Sequence, residues 1–118
     1  MVLVDTSVWI NFFRNGDQEL TILLERGDVF CHPFIVGELA CGHLRPRKEI
    51  LTRLTSLPTA PLVRNQEALE FIETHGFSGL GLGFIDVHLL ASAILGRASL
   101  WSKDKILRKA AEKLRAAF

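Results

Sequence analysis

Residues 2–10 have the sequence VLVDTSVWI, and this stretch decides the fold. Val2 to Val4 form an apolar run without polar alternation, which is typical of a strand buried on both faces. Asp5, Thr6 and Ser7 then supply side chains that cap helices, so a helix is expected over residues 8–14. A buried strand followed directly by a helix begins a βαβ unit, which indicates an α/β fold with a parallel sheet.

The same alternation of strand and helix patterns continues along the chain. Apolar runs predict further strands at residues 29–32 and 98–102, and a brief edge strand near Leu62 and Val63. Helical spacing predicts a helix closed by Gly27, one beginning at Pro33, and others near residues 50–57, over 66–75 and 84–96, and from 103 onward. We therefore predict a single domain over residues 1–118, a three-layer α/β/α sandwich around a parallel sheet of about four to five short strands.

Composition limits the classes of protein to consider. The formal net charge of the 118 residues is +1, so the total charge does not indicate a nucleic-acid binder and the placement of each sign matters more. The two cysteines cannot form a disulfide framework, and no apolar run approaches the roughly 20 residues that span a bilayer. With no secretory signal recognised, we expect a soluble cytoplasmic protein without membrane association.

Four carboxylates stand at comparable points of the predicted fold. Asp5 follows the first strand, Asp104 follows the last, Glu38 lies on the helix after the second strand, and Asp86 lies in the first turn of the helix after a glycine-rich loop. Because the carboxyl ends of parallel strands meet at one edge, these side chains are expected to converge. Each has an ordinary alternative: a helix cap for Asp5 and Asp104, a partner of the helix dipole for Asp86, and a solvated surface residue for Glu38. The strongly apolar surroundings of Glu38 and Asp86 favour a functional role.

Clustered carboxylates repel one another, and a cation among them relieves that repulsion. Sites made only of oxygen ligands and rich in carboxylates suit Mg²⁺ or Mn²⁺. Such ions activate water and stabilise the leaving oxygen during hydrolysis of a phosphodiester. The pattern therefore predicts metal-assisted phosphodiester chemistry.

Four motifs resemble those of PIN-domain toxins of the VapC group. They are DTSVWI at residues 5–10, IVGEL at 35–39, GLGFIDVHLLA at 81–91 and LWSKDK at 100–105. The motifs occur in the order that the family has, and together they cover essentially the whole chain. One departure is Asn11, where many relatives carry Asp.

This resemblance implies a function and a set of site residues. It implies a Mg²⁺- or Mn²⁺-dependent endoribonuclease that leaves 5′-phosphate and 3′-hydroxyl ends, with transfer, ribosomal or messenger RNA as substrate. It also implies a homodimer that a cognate VapB-type antitoxin neutralises. The metal ligands would be Asp5, Glu38, Asp86 and Asp104, with Thr6 or Ser7, and Ser102, supporting them by hydrogen bonds.

Basic residues flank these acids at two places. Lys103, Lys105 and Arg108 stand beside Asp104, as expected for a rim that binds the phosphate backbone. Arg45 and Arg47 could form a second rim. The other basic residues are interpreted as solvated helix faces.

The sequence also admits functions other than that of a ribonuclease. The main one is a catalytically inactive PIN-like module that binds RNA or protein. A zinc site at Cys31-His32 and Cys41-Gly42-His43 is disfavoured, because the spacing fits no compact zinc motif. A dehalogenase-type phosphatase needs a second Asp where this chain has Ser7. For His88 a hydrogen-bonding or packing role is favoured, and a catalytic role stays open.

Overall fold

The computed structural model describes residues 1–118 and contains three strands and seven helices. In chain order the elements are β1 (Val2–Val4), α1 (Thr6–Asn15), α2 (Gln18–Glu25), β2 (Val29–Phe30), α3 (Pro33–Ala40), α4 (Arg47–Ser56), α5 (Asn65–His75), α6 (Phe84–Leu95), β3 (Ser99–Trp101) and α7 (Lys105–Lys113). The sheet is parallel and lies at the centre of a three-layer α/β/α arrangement, which confirms the predicted class. None of the helices has both the length and the apolar character needed to cross a bilayer.

Strand β1 occupies the middle of the sheet, in the order β2-β1-β3. Leu3 of β1 pairs with Phe30 of β2 on one side and with Leu100 of β3 on the other. All of β1 is buried, as its uninterrupted apolar run predicts. The parallel pairing brings the carboxyl ends of all three strands to the same edge.

The prediction of four to five strands is wrong, because the sheet has three. Each outer strand gains only an isolated bridge, Cys31 to Thr59 beside β2 and Leu100 to Ala117 beside β3. Thr59 lies between two prolines, which have no N–H to donate to a ladder, so pairing stops after one bridge. The predicted edge strand at Leu62 and Val63 is absent, because the parallel partner segment after Cys31 turns into α3 at Pro33.

Helix α6 is the most deeply buried helix of the fold. Every residue from Val87 to Ala93 is buried, and the helix packs against β1, β3 and α5. Leu89 and Leu90 are fully enclosed in the same core as Leu3 and Leu100. Asp86 stands at the start of this buried run, so its position is fixed by the core.

The end of α6 closely approaches the proline-flanked edge segment. A Cβ added to Gly96 would lie 2.8 Å from Cδ of Pro61 and 3.2 Å from the carbonyl oxygen of Ser92. Gly96→Ala is therefore expected to lower the free energy of unfolding by about 1–3 kcal/mol, the usual effect of overpacking. Urea unfolding followed by circular dichroism measures the change.

Gly37→Ala serves as the matched control, because a Cβ there would meet nothing within 4 Å. Gly37 lies inside α3, where alanine favours the helix, so stability should rise by as much as about 1 kcal/mol. Equal effects of the two substitutions would contradict the close approach at Gly96.

Candidate active site

Asp5 is held where β1 and β3 end side by side. Its backbone N–H donates to the carbonyl oxygen of Trp101 at 2.9 Å, which places it beside Ser102. The Ser102 and Ser7 hydroxyls donate to the same carboxylate oxygen, Oδ2, at 2.8 and 2.9 Å. Although Asp5 precedes α1 as its N-cap residue, its side chain makes no capping hydrogen bond. The carboxylate is only 7% exposed, and hydroxyl donors from two separate segments stabilise it there.

The same two hydroxyls fix the chain that carries Asp104. The backbone N–H of Asp104 donates to Ser102 Oγ at 3.0 Å, and that of Lys103 donates to Ser7 Oγ at 2.9 Å. The turn after β3 is thereby attached to the first turn of α1. Ser7 and Ser102 therefore link Asp5 to Asp104 across the edge of the sheet.

Glu38 reaches this edge from α3. Its neighbours Ile35 and Leu39 are buried, whereas Glu38 itself is exposed on the other side of the helix. Thr6 Oγ1 donates to Glu38 Oε1 at 2.9 Å, which ties α3 to the start of α1. Of the two hydroxyl residues expected to support the site, Ser7 thus contacts Asp5 and Thr6 contacts Glu38.

Asp86 and Asp104 each use one carboxylate oxygen at a helix N-terminus. Asp86 Oδ2 accepts from the backbone N–H of Gly83 at 3.0 Å, and Asp104 Oδ1 accepts from that of Leu107 at 3.0 Å. The capping role considered for Asp104 is therefore real, and Asp86 also bonds a backbone N–H at the start of its helix, but only one oxygen of each carboxylate is occupied. The second oxygen of each carboxylate accepts no hydrogen bond and remains available to a ligand.

The four carboxylates lie close enough for the charges of the other three to affect the pKa of Asp86. Burial raises the pKa of Asp86, the Gly83 N–H opposes that rise, and the charges of Asp5, Asp104 and Glu38 raise it further. The two salt bridges of the protein lie on α4 and at the start of α5, so no basic side chain neutralises the cluster.

The donor chemistry of this cluster fits a hard divalent cation. Such ions prefer carboxylate oxygens, and each acid here keeps one oxygen without a hydrogen-bond donor. As the side chains lie, no three His, Cys, Asp or Glu residues are close enough to hold one ion together. Glu38 and Asp104 are exposed, so their side chains can turn inward without disturbing the core.

The predicted basic residues have different surroundings. Lys103, Lys105 and Arg108 are exposed around Asp104, at the start of α7. Arg45 shares a cavity of about 440 Å³ with Glu38. Arg47 does not face the cluster, because its guanidinium donates to the carbonyl oxygens of Ala40 and Gly42 at the end of α3.

Two buried histidines lie behind the carboxylates. His88 Nε2 is 2.9 Å from Asn65 Oδ1, and burial lowers the pKa of His88. Burial and the nearby His88 lower the pKa of His32 to about 4. The hydrogen-bonding role favoured for His88 from the sequence is confirmed by its contact with Asn65. No sequence signal pointed to Asn65, which lies 23 positions from its partner.

Comparison with known proteins identifies the family. Residues 2–113 match the PIN domain family. The chain belongs to the PIN-domain family. It is 41% identical over 111 residues to ribonuclease VapC32 of Mycobacterium tuberculosis, in strains CDC 1551 / Oshkosh and ATCC 25618 / H37Rv, covering 93% of this chain and 90% of the relative. The resemblance to VapC-type PIN domains inferred from the four motifs is confirmed.

Two solved structures have the same fold. FitAcB from Neisseria gonorrhoeae superposes with a TM-score of 0.62 at 19% identity, covering 95% of this chain and 94% of that one. PAE2754 from Pyrobaculum aerophilum superposes with a TM-score of 0.70 at 15% identity, covering 99% and 87%. At these identities the likeness concerns the fold, and it confirms the PIN-like architecture.

Burial and the neighbouring charges together make ionised Asp86 unfavourable to stability. Asp86→Asn should raise the free energy of unfolding at neutral pH in EDTA, because it removes one charge while the amide oxygen still accepts from Gly83. The pKa of Asp86 is higher in the folded than in the unfolded chain, so its ionisation reduces stability as pH rises through that interval. The advantage of Asp86→Asn should therefore disappear as pH falls below the unfolded pKa. Urea unfolding from about pH 3 to pH 8 measures it.

Asp17→Asn is the control for this experiment. Asp17 Oδ1 caps α2 by accepting from Leu20 N at 3.0 Å, and asparagine caps helices equally well. It should leave stability nearly unchanged at every pH. If Asp86→Asn were no more stable than Asp17→Asn at neutral pH, the repulsive cluster would be disproved.

Proposed function

We propose that this protein is a Mg²⁺- or Mn²⁺-dependent endoribonuclease and the toxin of a VapBC-type toxin–antitoxin pair. The observation that carries the proposal is the uncompensated group of Asp5, Glu38, Asp86 and Asp104 at one edge of the sheet. Family membership and 41% identity to a protein named a ribonuclease support the RNA substrate.

In this proposal the carboxylates hold the cation and the hydroxyls hold the carboxylates. Ser7 and Ser102 hold one oxygen of Asp5 and Thr6 holds one oxygen of Glu38, which leaves the second oxygen of each free for a cation once Glu38 and Asp104 turn inward. When bound, a divalent cation would supply water activation and would stabilise the charge that builds up on the phosphodiester. No side chain needs to act as nucleophile.

Neither buried histidine serves as the general base in this scheme. Both rings are buried, and Nε2 of His88 contacts Asn65 Oδ1, so neither ring is open to an attacking water at the acidic edge. The role assigned to His88 is to position α6, and with it Asp86, against α5. The exposed cations Lys103, Lys105 and Arg108 would bring the RNA backbone to the acidic centre.

An apolar groove supports the proposed antitoxin partner. A cavity of about 420 Å³ lies between α1, α2 and α4, and all but one of its lining residues are hydrophobic, including Trp9, Phe12 and Leu54. The cavity that contains Glu38 shares Phe13 and Ile50 with it. A helical or extended antitoxin segment seated there would reach the carboxylates. Co-expression with a small open reading frame beside the gene tests this by complex formation and loss of RNA cleavage.

Substitution of a proposed metal ligand should lower the cleavage rate more than substitution of the residue that orients it. With Mg²⁺ and total RNA, Ser102→Ala should lower the cleavage rate by about 10- to 100-fold, as expected for a residue that orients a metal ligand. Asp5→Asn should lower it further, and EDTA should abolish it. Initial rates on denaturing gels, with calorimetric Mg²⁺ titration of the same variants, provide the measurement.

Asp17→Asn is again the control and should cleave as the wild type does. Unchanged cleavage by Asp5→Asn would overturn the site assignment. The alternative of a catalytically inactive RNA- or protein-binding module predicts no cleavage and no stoichiometric binding of Mg²⁺ by the wild type.

The proposed homodimer has its own candidate surface. Phe34 and Phe84 both contact the His88 ring, with centroids 5.1 and 4.8 Å away, yet they are 39% and 41% exposed. Exposed aromatic patches of this kind mark protein interfaces. Phe34→Ser should weaken self-association at least about tenfold, the effect of losing one interface anchor.

Sedimentation velocity over a range of concentrations measures this association. Ile22→Ser on α2 is the control, because Ile22 has the same 39% exposure but lies outside the patch. A wild-type protein that stays monomeric, or equal effects of both variants, would count against this surface.

A further inference from the structure

A small groove runs alongside the carboxylate cluster, between the glycine-rich loop and α7. It encloses about 220 Å³ and is lined by Leu80, Leu82, Ile106, Lys109, Ala110 and Lys113. Its apolar floor comes from the loop and the first turns of α7, and its two lysines form a rim. Leu82 precedes Gly83, which donates to Asp86, and Ile106 follows the helix N-cap Asp104 by two positions. The groove therefore begins next to the proposed reaction centre.

The lysines of α7 form a row that leads away from Asp104. Lys105, Lys109 and Lys113 recur every four residues, which places them on one face of the helix over about 12 Å. None of them forms a salt bridge, since both ion pairs of the protein lie elsewhere. Glu112 is the one acidic residue of α7 and pairs with none of them. All three ammonium groups are therefore free to bind phosphates.

The floor of the groove is apolar, although a site that bound only the phosphate backbone would need no apolar surface. Leu80 and Ile106 are 45% and 47% exposed, although both are large hydrophobic residues. The loop lies against the helix because Gly81 has φ +84° and a Cβ there would be 3.1 Å from Ile106 Cδ1. An apolar floor beside a cationic rim matches a nucleotide, which has a flat base and a charged phosphate.

We propose that this groove binds an unpaired nucleotide of single-stranded RNA beside the scissile phosphate, with the lysine row holding the adjoining backbone. The inference rests on the proposed ribonuclease function and names the form of its substrate. A base stacked within a duplex cannot turn its face into the groove, so the site favours unpaired RNA. The lysines supply affinity that depends on salt, whereas the floor supplies the preference for single strands.

Fluorescence anisotropy in EDTA tests the lysine row without turnover. The probe is a fluorescein-labelled RNA of about 12 nucleotides without internal pairing. The double variant Lys109→Gln and Lys113→Gln should reduce the slope of log Kd against log salt by about 1.4, since each phosphate contact on single strands contributes about 0.7. At 0.1 M salt that corresponds to roughly 25-fold weaker binding. The control double variant Arg26→Gln and Arg97→Gln removes the same charge beside the amino ends of β2 and β3 and should bind as the wild type does.

Leu80→Ser tests the floor separately. It should weaken binding of the single-stranded probe severalfold with no change in salt slope, and it should leave binding of a duplex of equal length unchanged. Thermal melting by circular dichroism verifies that each variant is folded. A lysine variant with the slope of its control, or a Leu80→Ser variant with wild-type affinity, would overturn the subsite.

The binding assay tests the groove and the cleavage assay tests the nuclease, so failure of one proposal can be told apart from failure of the other. If the wild type and variants follow the predicted binding pattern but no RNA is cleaved with Mg²⁺, the subsite stands and the nuclease proposal fails. If the wild type cleaves and the lysine variant binds like its control, the nuclease stands and the groove does not bind substrate. Such a groove would instead suit a protein partner.

Discussion

Strand β1 lies between two parallel partners, and the position of the candidate site depends on this pairing. The register of Val4 with Trp101 brings Asp5 against Ser102, so a buried carboxylate meets its hydroxyl donor as soon as the strands end. The same donor receives the N–H of Asp104 and so fixes the turn that begins α7. A slip of one residue would turn the side chains of β1 to opposite faces and separate these groups.

The four carboxylates of the site are held by hydrogen bonds, but no basic side chain neutralises their negative charge. Each carboxylate gives one oxygen to a hydroxyl or a backbone N–H, which holds it in place without neutralising it. Burial raises the pKa of Asp86, and the charges of Asp5, Asp104 and Glu38 raise it further. A fold that keeps four acids together in this way loses stability locally, and the proposed cation would recover it. The stability of the site and its proposed chemistry thus have the same electrostatic origin.

Helix α7 connects the acidic centre to the proposed substrate groove. Asp104 caps its N-terminus, and the lysine row begins at the next residue. Because one rigid helix carries both features, the spacing between the carboxylates and the phosphate-binding groups is set by helical geometry. A loop could not fix that spacing with the same accuracy.

The sequence by itself determined the α/β class, because strand runs and helix caps express local chemistry. Its four motifs in order carried the resemblance to the PIN-domain family, which the family match then confirmed. It also indicated that Ser7, Thr6 and Ser102 would support the acids. Only the tertiary structure decided that the sheet stops at three strands, that Arg47 caps α3, that His88 contacts Asn65, and that Leu80 and Lys109 share a groove. Each of these depends on segments distant in the chain or on the geometry of packing, which local patterns do not encode.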